Sequence, residues 1–126
     1  MRFMMLVKAN KYSEDGVPPD PRLMEAVGKL AEREMRSGRL LMTGGLGPSA
    51  QGARVYAANE ALMVKDGPFV ETKELVGGFA IMQFGSREEA IEQGKRFMQL
   101  HLDTLGPGYE GQLEIRQIIG SEDMIG

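Results

Sequence analysis

The ten residues from Lys65 to Glu74 constrain the fold more than any other part of the chain. One extended, β-prone run precedes this decamer and another follows it. Asp66 and Gly67 favour a turn, and we expect a positive φ at Gly67, since glycine reaches that region without strain. Pro68 fixes the next φ and removes a backbone donor. The decamer therefore predicts a chemically fixed turn between two strands, with charged residues clustered behind it.

The composition excludes several kinds of site. The chain has 126 residues, enough for one domain. It has no cysteine, which excludes disulfides, thiolate nucleophiles and cysteine-ligated metals, and its single histidine excludes an all-histidine metal site within one chain. A net charge of −3 with scattered Lys and Arg argues against a nucleic-acid partner. We expect no metal and no cofactor.

The start of the chain does not read as a targeting segment. Its apolar run, Phe3 to Val7, is shorter than the apolar core of a signal peptide. No apolar run approaches the roughly 20 residues of a membrane helix. These features predict a cytoplasmic protein with no membrane partner.

Apolar periodicity and turn residues predict strands that alternate with two long helices. Asn10 to Pro21 reads as a polar loop, and a second loop runs from Gly44 to about Gly52. The predicted elements are, in order, a strand over Phe3–Val7, a helix capped by Asp20 and reaching Arg36, a strand over Leu40–Thr43, a hairpin of Arg54–Ala58 and Ala61–Lys65, a strand over Gly78–Phe84, a helix capped by Ser86 and broken at Gly106, and a strand over Leu113–Ile119.

Without the hairpin, this order is β-α-β-β-α-β, the split motif of ferredoxin-like α+β folds. We predict one domain over residues 1–120 and a frayed tail over 121–126. Two helices cover one face of such a sheet, yet the strands at Phe3–Val7 and Phe79–Met82 are apolar at both parities. A second copy of the chain is the simplest cover for the other face, so we expect a homodimer.

Several segments together resemble the DGPF branch of the YCII-related family. The strongest is Asp66-Gly67-Pro68-Phe69 followed by Glu71-Thr72-Lys73-Glu74. The similarity also covers the opening strand and four shorter segments: Leu40–Pro48, Gly52–Val55, Gly77–Phe79 and Glu114–Gln117. A further stretch, Arg96–Gly111, resembles a subgroup with a longer second helix.

The resemblance implies a ferredoxin-like fold that dimerises into an α/β barrel, with no firmly assigned activity. Some members are linked by gene context to alternative sigma factors. In part of the wider superfamily, a histidine in the first helix is proposed to form a catalytic dyad with an Asp. The first helix here has no histidine and carries Val27 and Leu30 in the comparable stretch, so that role is not inherited.

The decamer and the neighbouring hairpin supply most of the candidate site residues. Asp66 could act as an acid or base, or its carboxylate could bond a backbone N–H of the turn. Thr72 and Lys73, between Glu71 and Glu74, could hold or protonate a polar ligand, or they could form a solvated loop. Arg54 and Tyr56 share a strand face and could bind a carboxylate, or they could make structural contacts.

His101 is the chain's only side chain with an ordinary pKa near neutrality. Helical spacing places it on the side of Phe97, Met98 and Leu105. It could be a catalytic acid or base, with Tyr109 in reach, or a packed histidine with one satisfied nitrogen. The glycines at 44, 45 and 47 lack the Lys-Ser/Thr of a phosphate loop, so we do not assign a nucleotide site.

These observations lead to one functional hypothesis and one alternative. We expect a protein that binds a small organic molecule between sheet and helices, or an isomerase- or lyase-like enzyme that transfers protons without a cofactor. The residues assigned to catalysis are Asp66, Lys73 and His101. Those assigned to substrate binding are Arg54, Tyr56 and Thr72. The alternative is a non-enzymatic interaction or regulatory module.

Overall fold

The structure is a computed structural model that describes residues 1–71 and 74–120. A four-stranded antiparallel sheet with two long helices forms the body, and a separate two-stranded hairpin extends from it. The elements are β1 (Arg2–Lys8), α1 (Lys11–Glu14), α2 (Pro21–Arg36), β2 (Leu40–Gly45), β3 (Ala53–Ala58), β4 (Ala61–Asp66), β5 (Val76–Gln83), α3 (Arg87–Leu105) and β6 (Leu113–Gln117), with a 3₁₀ turn at Ser49–Gln51.

The strand order β2-β5-β1-β6 is the order of a split β-α-β-β-α-β unit, which confirms the predicted connectivity. Phe3 faces Met82 on one neighbouring strand and Gln117 on the other. The helix-covered face of this sheet holds the core, in which the side chains of Phe3, Met5, Leu40, Met82, Phe84 and Ala90 are buried.

Local capping signals place both long helices. The Asp20 carboxylate accepts from the Arg22 N–H at the start of α2, and Ser86 Oγ accepts from the Glu89 N–H at the start of α3. Gly106, with φ of 97°, ends α3. These signals lie within a few residues of each helix end, and for that reason the sequence predicted both helices closely.

The β3–β4 hairpin, called the arm below, pairs Ala53 with Asp66 at its base and Ala58 with Ala61 at its tip. Asn59 and Glu60 both have positive φ, 52° and 63°, as the tight turns of two-residue hairpins require. The predicted hairpin is therefore confirmed.

Some predicted boundaries are wrong. The segment from Asn10 to Pro21 is not entirely loop, because Asn10 and Ser13 form a capping box that starts α1. The last strand ends at Gln117 rather than Ile119, although the Ile118 N–H still donates to the Arg2 carbonyl over 2.9 Å. The third sheet strand, β5, begins at Val76, which pairs with Lys8.

The predicted positive φ at Gly67 is also wrong. The Gly67–Pro68 peptide bond is cis. Glycine is needed at position 67 for a different reason, namely that an ideal Cβ there would lie 1.7 Å from the Ser49 carbonyl oxygen. The assignment of residues 1–120 to one domain stays a prediction, and the tail 121–126 lies outside the described residues.

Candidate functional site

The base of the arm is fastened to the loop before it. The Gly67 N–H donates to the Gly52 carbonyl over 2.9 Å, and the Gly67 backbone lies directly against Ser49. A side chain at position 67 would overlap backbone atoms, which cannot move aside as a flexible side chain can. The Asp-Gly-Pro-Phe segment is thus a close-packed junction.

A hydrogen-bonded chain of polar groups reinforces this junction. The Glu14 carboxylate accepts from both the N–H and the hydroxyl of Ser49. Ser49 Oγ in turn accepts from the Phe69 N–H over 3.0 Å. Three segments far apart in sequence, namely α1, the 3₁₀ turn and the decamer, are therefore tied together by one serine.

Arg54 sits over this junction and is already paired. Its guanidinium lies 3.8 Å from the centroid of the Phe69 ring and donates to Glu71 Oε2 over 3.0 Å. The pKa of Arg54 is raised above its usual value, first by the hydrogen bond to Glu71 and then by the nearby Tyr56. The same ion pair lowers the pKa of Glu71. The carboxylate that Arg54 binds here is the protein's own.

Of the three predicted residues that remain in the decamer, only Asp66 lies within the described part of the chain. Asp66 ends β4 with an exposed side chain that forms no hydrogen bond to any described residue, so the predicted bond to a turn N–H is not formed. Thr72 and Lys73 lie outside the described residues.

His101 lies elsewhere, on α3, and is only 5% exposed. Its Nδ1 is 2.8 Å from the Phe97 carbonyl oxygen, so Nδ1 carries the hydrogen and donates. Its ring lies between the Phe97 ring, 4.6 Å away, and the Tyr109 ring, 5.2 Å away. No described contact joins His101 to Asp66.

Beside this cluster of rings, α3 and β6 border an open groove of about 580 Å³. Most of its exposed lining is apolar, and the polar groups lie along the segment after α3 and at Lys95. The lining residues on the helix are Ile91, Gly94, Lys95, Met98 and Leu102, and those on the returning segment and strand are Tyr109, Glu110, Gly111, Gln112, Leu113 and Ile115.

Two glycines shape the groove. A Cβ at Gly94 would lie 3.0 Å from the side chain of Ile115, so glycine lets α3 approach β6 closely. A Cβ at Gly111 would lie 2.0 Å from the Tyr109 hydroxyl, so glycine leaves room for that ring. The ring is half-buried, and burial raises the pKa of Tyr109.

Sequence reasoning found His101 and Tyr109 but missed the groove. Gly94 inside a helical pattern was the available signal, because a glycine there costs helix stability unless close packing requires it. Gly111 gave no such signal, since it stands in a loop where glycine is ordinary.

The described residues contain no group of three or more His, Cys, Asp or Glu side chains placed to hold a metal ion. None of the described helices combines the length and the apolarity needed to span a bilayer.

Comparison with known proteins identifies the family. An uncharacterised protein of Rhizobium meliloti (strain 1021) is 30% identical over 99 residues, which span 79% of this chain and 75% of that protein. Among solved structures, the chain is similar to 5-chloro-2-hydroxyhydroquinone dehydrochlorinase from Burkholderia phenoliruptrix AC1100 in complex with 2,5-dihydroxybenzoquinone. That likeness covers 98% of both chains at 15% identity, with a TM-score of 0.47. The model of the YCII-related domain matches residues 1–99, and the chain therefore belongs to the YCII-related family.

Proposed function

We propose that this protein binds a small organic molecule in the groove between α3 and β6. The observation that carries the proposal is the groove itself, an apolar trough of about 580 Å³ with polar groups on one side. Pockets for small molecules have this character, with mostly apolar walls and a few polar groups that set orientation.

The lining favours a compact, mostly apolar ligand with one polar end. Met98 and Leu102 on the helix face Leu113 and Ile115 on the strand side. The Tyr109 hydroxyl and the Gln112 side chain can both donate and accept a hydrogen bond. The Lys95 ammonium forms an exposed ion pair with the Glu92 carboxylate over 3.1 Å, so an anionic ligand would compete with Glu92 for Lys95.

A test can use salicylate and indole as probes, one an aromatic anion and the other neutral. We expect either probe to shift the NMR amide signals of α3 and of residues 109–115. Met98→Trp should fill the groove and abolish the shifts. Met24→Trp, at an exposed position on α2, is the matched control and should leave them unchanged. Shifts spread over the whole surface, or equal in both variants, would contradict the proposal.

Proton-transfer chemistry is the enzymatic form of this proposal, with an isomerase or a lyase as the expected class. The observation that favours it is the contact of the Tyr109 ring, in the groove wall, with the ring of His101 behind it. His101 Nε2 has no hydrogen-bond partner among the described residues. The catalytic roles assigned to Asp66 and Lys73 stay predictions that are separate from this wall of the groove.

His101→Gln separates catalysis from packing. If the ring only packs, the variant should be destabilised by about 1–2 kcal/mol through lost contacts and should still give the salicylate and indole shifts. If the ring is catalytic, the variant should stay folded and lose any turnover found for the wild type. Thermal unfolding and the same NMR titration measure both outcomes.

Three finer assignments belong to the proposal as well. The DGPF branch is supported by the junction at Gly67 to Phe69 and its ties to Ser49. A homodimer that closes an α/β barrel is supported by the apolar sheet face opposite the helices. The cytoplasmic location, predicted because the sequence shows no signal-peptide core and no membrane-length apolar run, stays a prediction.

The alternative, an interaction or regulatory module, has one observation in its favour. The arm exposes several large apolar side chains, including Val55, Leu62 and Val64. Exposed apolar patches mark contact surfaces in many proteins. If the arm binds a different protein, this alternative holds. If it binds a second copy of the chain, the arm belongs to an ordinary dimer interface.

A further inference from the structure

The arm is a paired but unpacked part of the chain. Every residue of β4 is exposed, as is every residue of β3 except Arg54. An isolated two-stranded hairpin is at best marginally stable in water, because neither of its faces removes apolar surface from solvent. The arm therefore has an apolar surface that nothing in the described chain covers.

The register assigns this surface to one face of the arm. Val55 lies opposite Val64, and Ala57 lies opposite Leu62, all on the same face. Val55 is 68% exposed, Val64 63% and Leu62 79%. The opposite face is mixed, with Arg54 opposite Lys65 and Tyr56 opposite Met63.

The base of the arm, in contrast, is held firmly. Gly67 packs against Ser49, which also binds Glu14 and the Phe69 N–H. Arg54 lies against the Phe69 ring. Because its base is fixed, the arm loses little further conformational entropy when it associates with another surface. Its exposed strands are therefore preorganised for a contact.

A second uncovered apolar surface lies on the four-stranded sheet. Both long helices pack on the Phe3 side, through Ala31 and Ala90. The alternate residues of the strands point the other way, where no long helix of the described chain lies. The apolar residues of this face are Met4, Leu6, Phe79, Ile81 and Met42, the last of which is 54% exposed.

We propose that the arm of one copy packs, through Val55, Leu62 and Val64, across the Met4–Ile81 sheet face of a second copy, and that the second arm does the same in return. This contact names the interface of the homodimer proposed above and rests on that homodimer. It involves neither the α3–β6 groove nor any residue that lines it.

The presence of two uncovered surfaces on one chain points to a second copy as the occupant. A two-fold axis applies every contact twice, so each arm meets a sheet face and each sheet face meets an arm. Stable interfaces bury roughly 800 Å² per partner, and a reciprocal contact draws on both surfaces of each chain to reach such an area. If a different protein covered the arm, the sheet face would remain uncovered.

Lysine substitutions at exposed positions test the proposal without disturbing the core. We expect wild-type protein to be a dimer by sedimentation. Leu62→Lys on the arm and Met42→Lys on the sheet face should each raise the dimer dissociation constant by about 100-fold or more, because each ammonium would be buried without a partner. Met24→Lys, at a similarly exposed position on α2, should leave the dimer intact.

Mixing the two interface variants shows whether arm and sheet face meet each other. The Leu62→Lys chain keeps an intact sheet face, and the Met42→Lys chain keeps an intact arm. Their mixture should form a heterodimer, detected by native mass spectrometry, through the one intact contact.

Three results would overturn the proposal. If Leu62→Lys protein remains dimeric while Met42→Lys protein dissociates, the arm has no part in the interface. The dimer would then form through the sheet face alone. Two monomeric variants that form no heterodimer would show that arm and sheet face do not meet each other. A monomeric wild type would refute the homodimer as well and leave the arm to another protein.

Discussion

The helix-covered face of the sheet and the arm are built from the same kinds of residue but lie in opposite environments. Phe3 and Met82 face each other across paired strands and are 2% and 5% exposed. Val55 and Val64 face each other in the same way and are each more than 60% exposed. Pairing of strands thus says little about burial, which depends on what lies above the sheet.

The largest expected effect is the difference in unfolding free energy between a truncated core side chain and a truncated arm side chain. Phe3→Ala should cost about 3–5 kcal/mol of unfolding free energy, because it leaves a cavity in the core. Leu62→Ala should change the unfolding free energy of the dissociated chain by no more than about 0.5 kcal/mol. Urea denaturation at low protein concentration measures both, and equal costs would show that the arm is packed within its own chain.

The destabilisation from Leu62→Ala should grow as the protein concentration rises. Association stabilises the folded dimer by mass action, so a weakened arm contact matters only where the dimer is populated. A cost that does not depend on concentration would speak against a role for the arm in assembly.

A second prediction concerns the junction between the two regions. Gly67→Ala should cost about 1–3 kcal/mol, since the added methyl overlaps the Ser49 backbone and forces it to shift. Gly45→Ala is the matched control, because a Cβ at Gly45 meets nothing within 4 Å. Thermal unfolding of both variants gives the comparison, and an unchanged melting curve for Gly67→Ala would mean that the junction is loose.

The smallest predicted effect is the pH dependence of the ion pair at the arm's base. The pKa of Glu71 is lowered from 4.5 by its hydrogen bond to Arg54, so the pair stabilises the fold above about pH 4.5. That contribution should fade as the pH falls through the lowered pKa and Glu71 takes up a proton. Because Glu71 is exposed, we expect only a small shift in melting temperature.

Glu71→Gln supplies the comparison for the ion pair. The difference in melting temperature between wild type and Glu71→Gln should be present at pH 7 and should narrow below about pH 4.5. A difference that stays constant across this range would show that the Arg54–Glu71 pair does not contribute through charge.

Much of the fold could be predicted because its signals are local. The caps at Asp20 and Ser86 and the turn at Asn59–Glu60 act over a few residues, and each is found where it was expected. The start of β5 at Val76 was missed, because Val76 pairs with Lys8 at the end of β1, and pairing partners are distant in sequence.

Less of the candidate site could be predicted. The sequence places Arg54 beside Tyr56, but the partners of Arg54, Phe69 and Glu71, lie across a turn that local patterns do not resolve. Asp66 and His101 were grouped by chemistry, whereas the structure puts Asp66 at the exposed base of the arm and His101 inside the body.

The sequence by itself determined the order of the elements, the family, and the positions of the helix caps and the hairpin turn. These follow from periodicity, capping and a conformationally restricted segment, all of which are properties of neighbouring residues. Only the tertiary structure decided that position 67 needs glycine, how α3 and β6 leave a groove beside Tyr109, and that the arm is bare. Each of these depends on backbone surfaces that meet, or fail to meet, across large separations along the chain, which local patterns cannot encode.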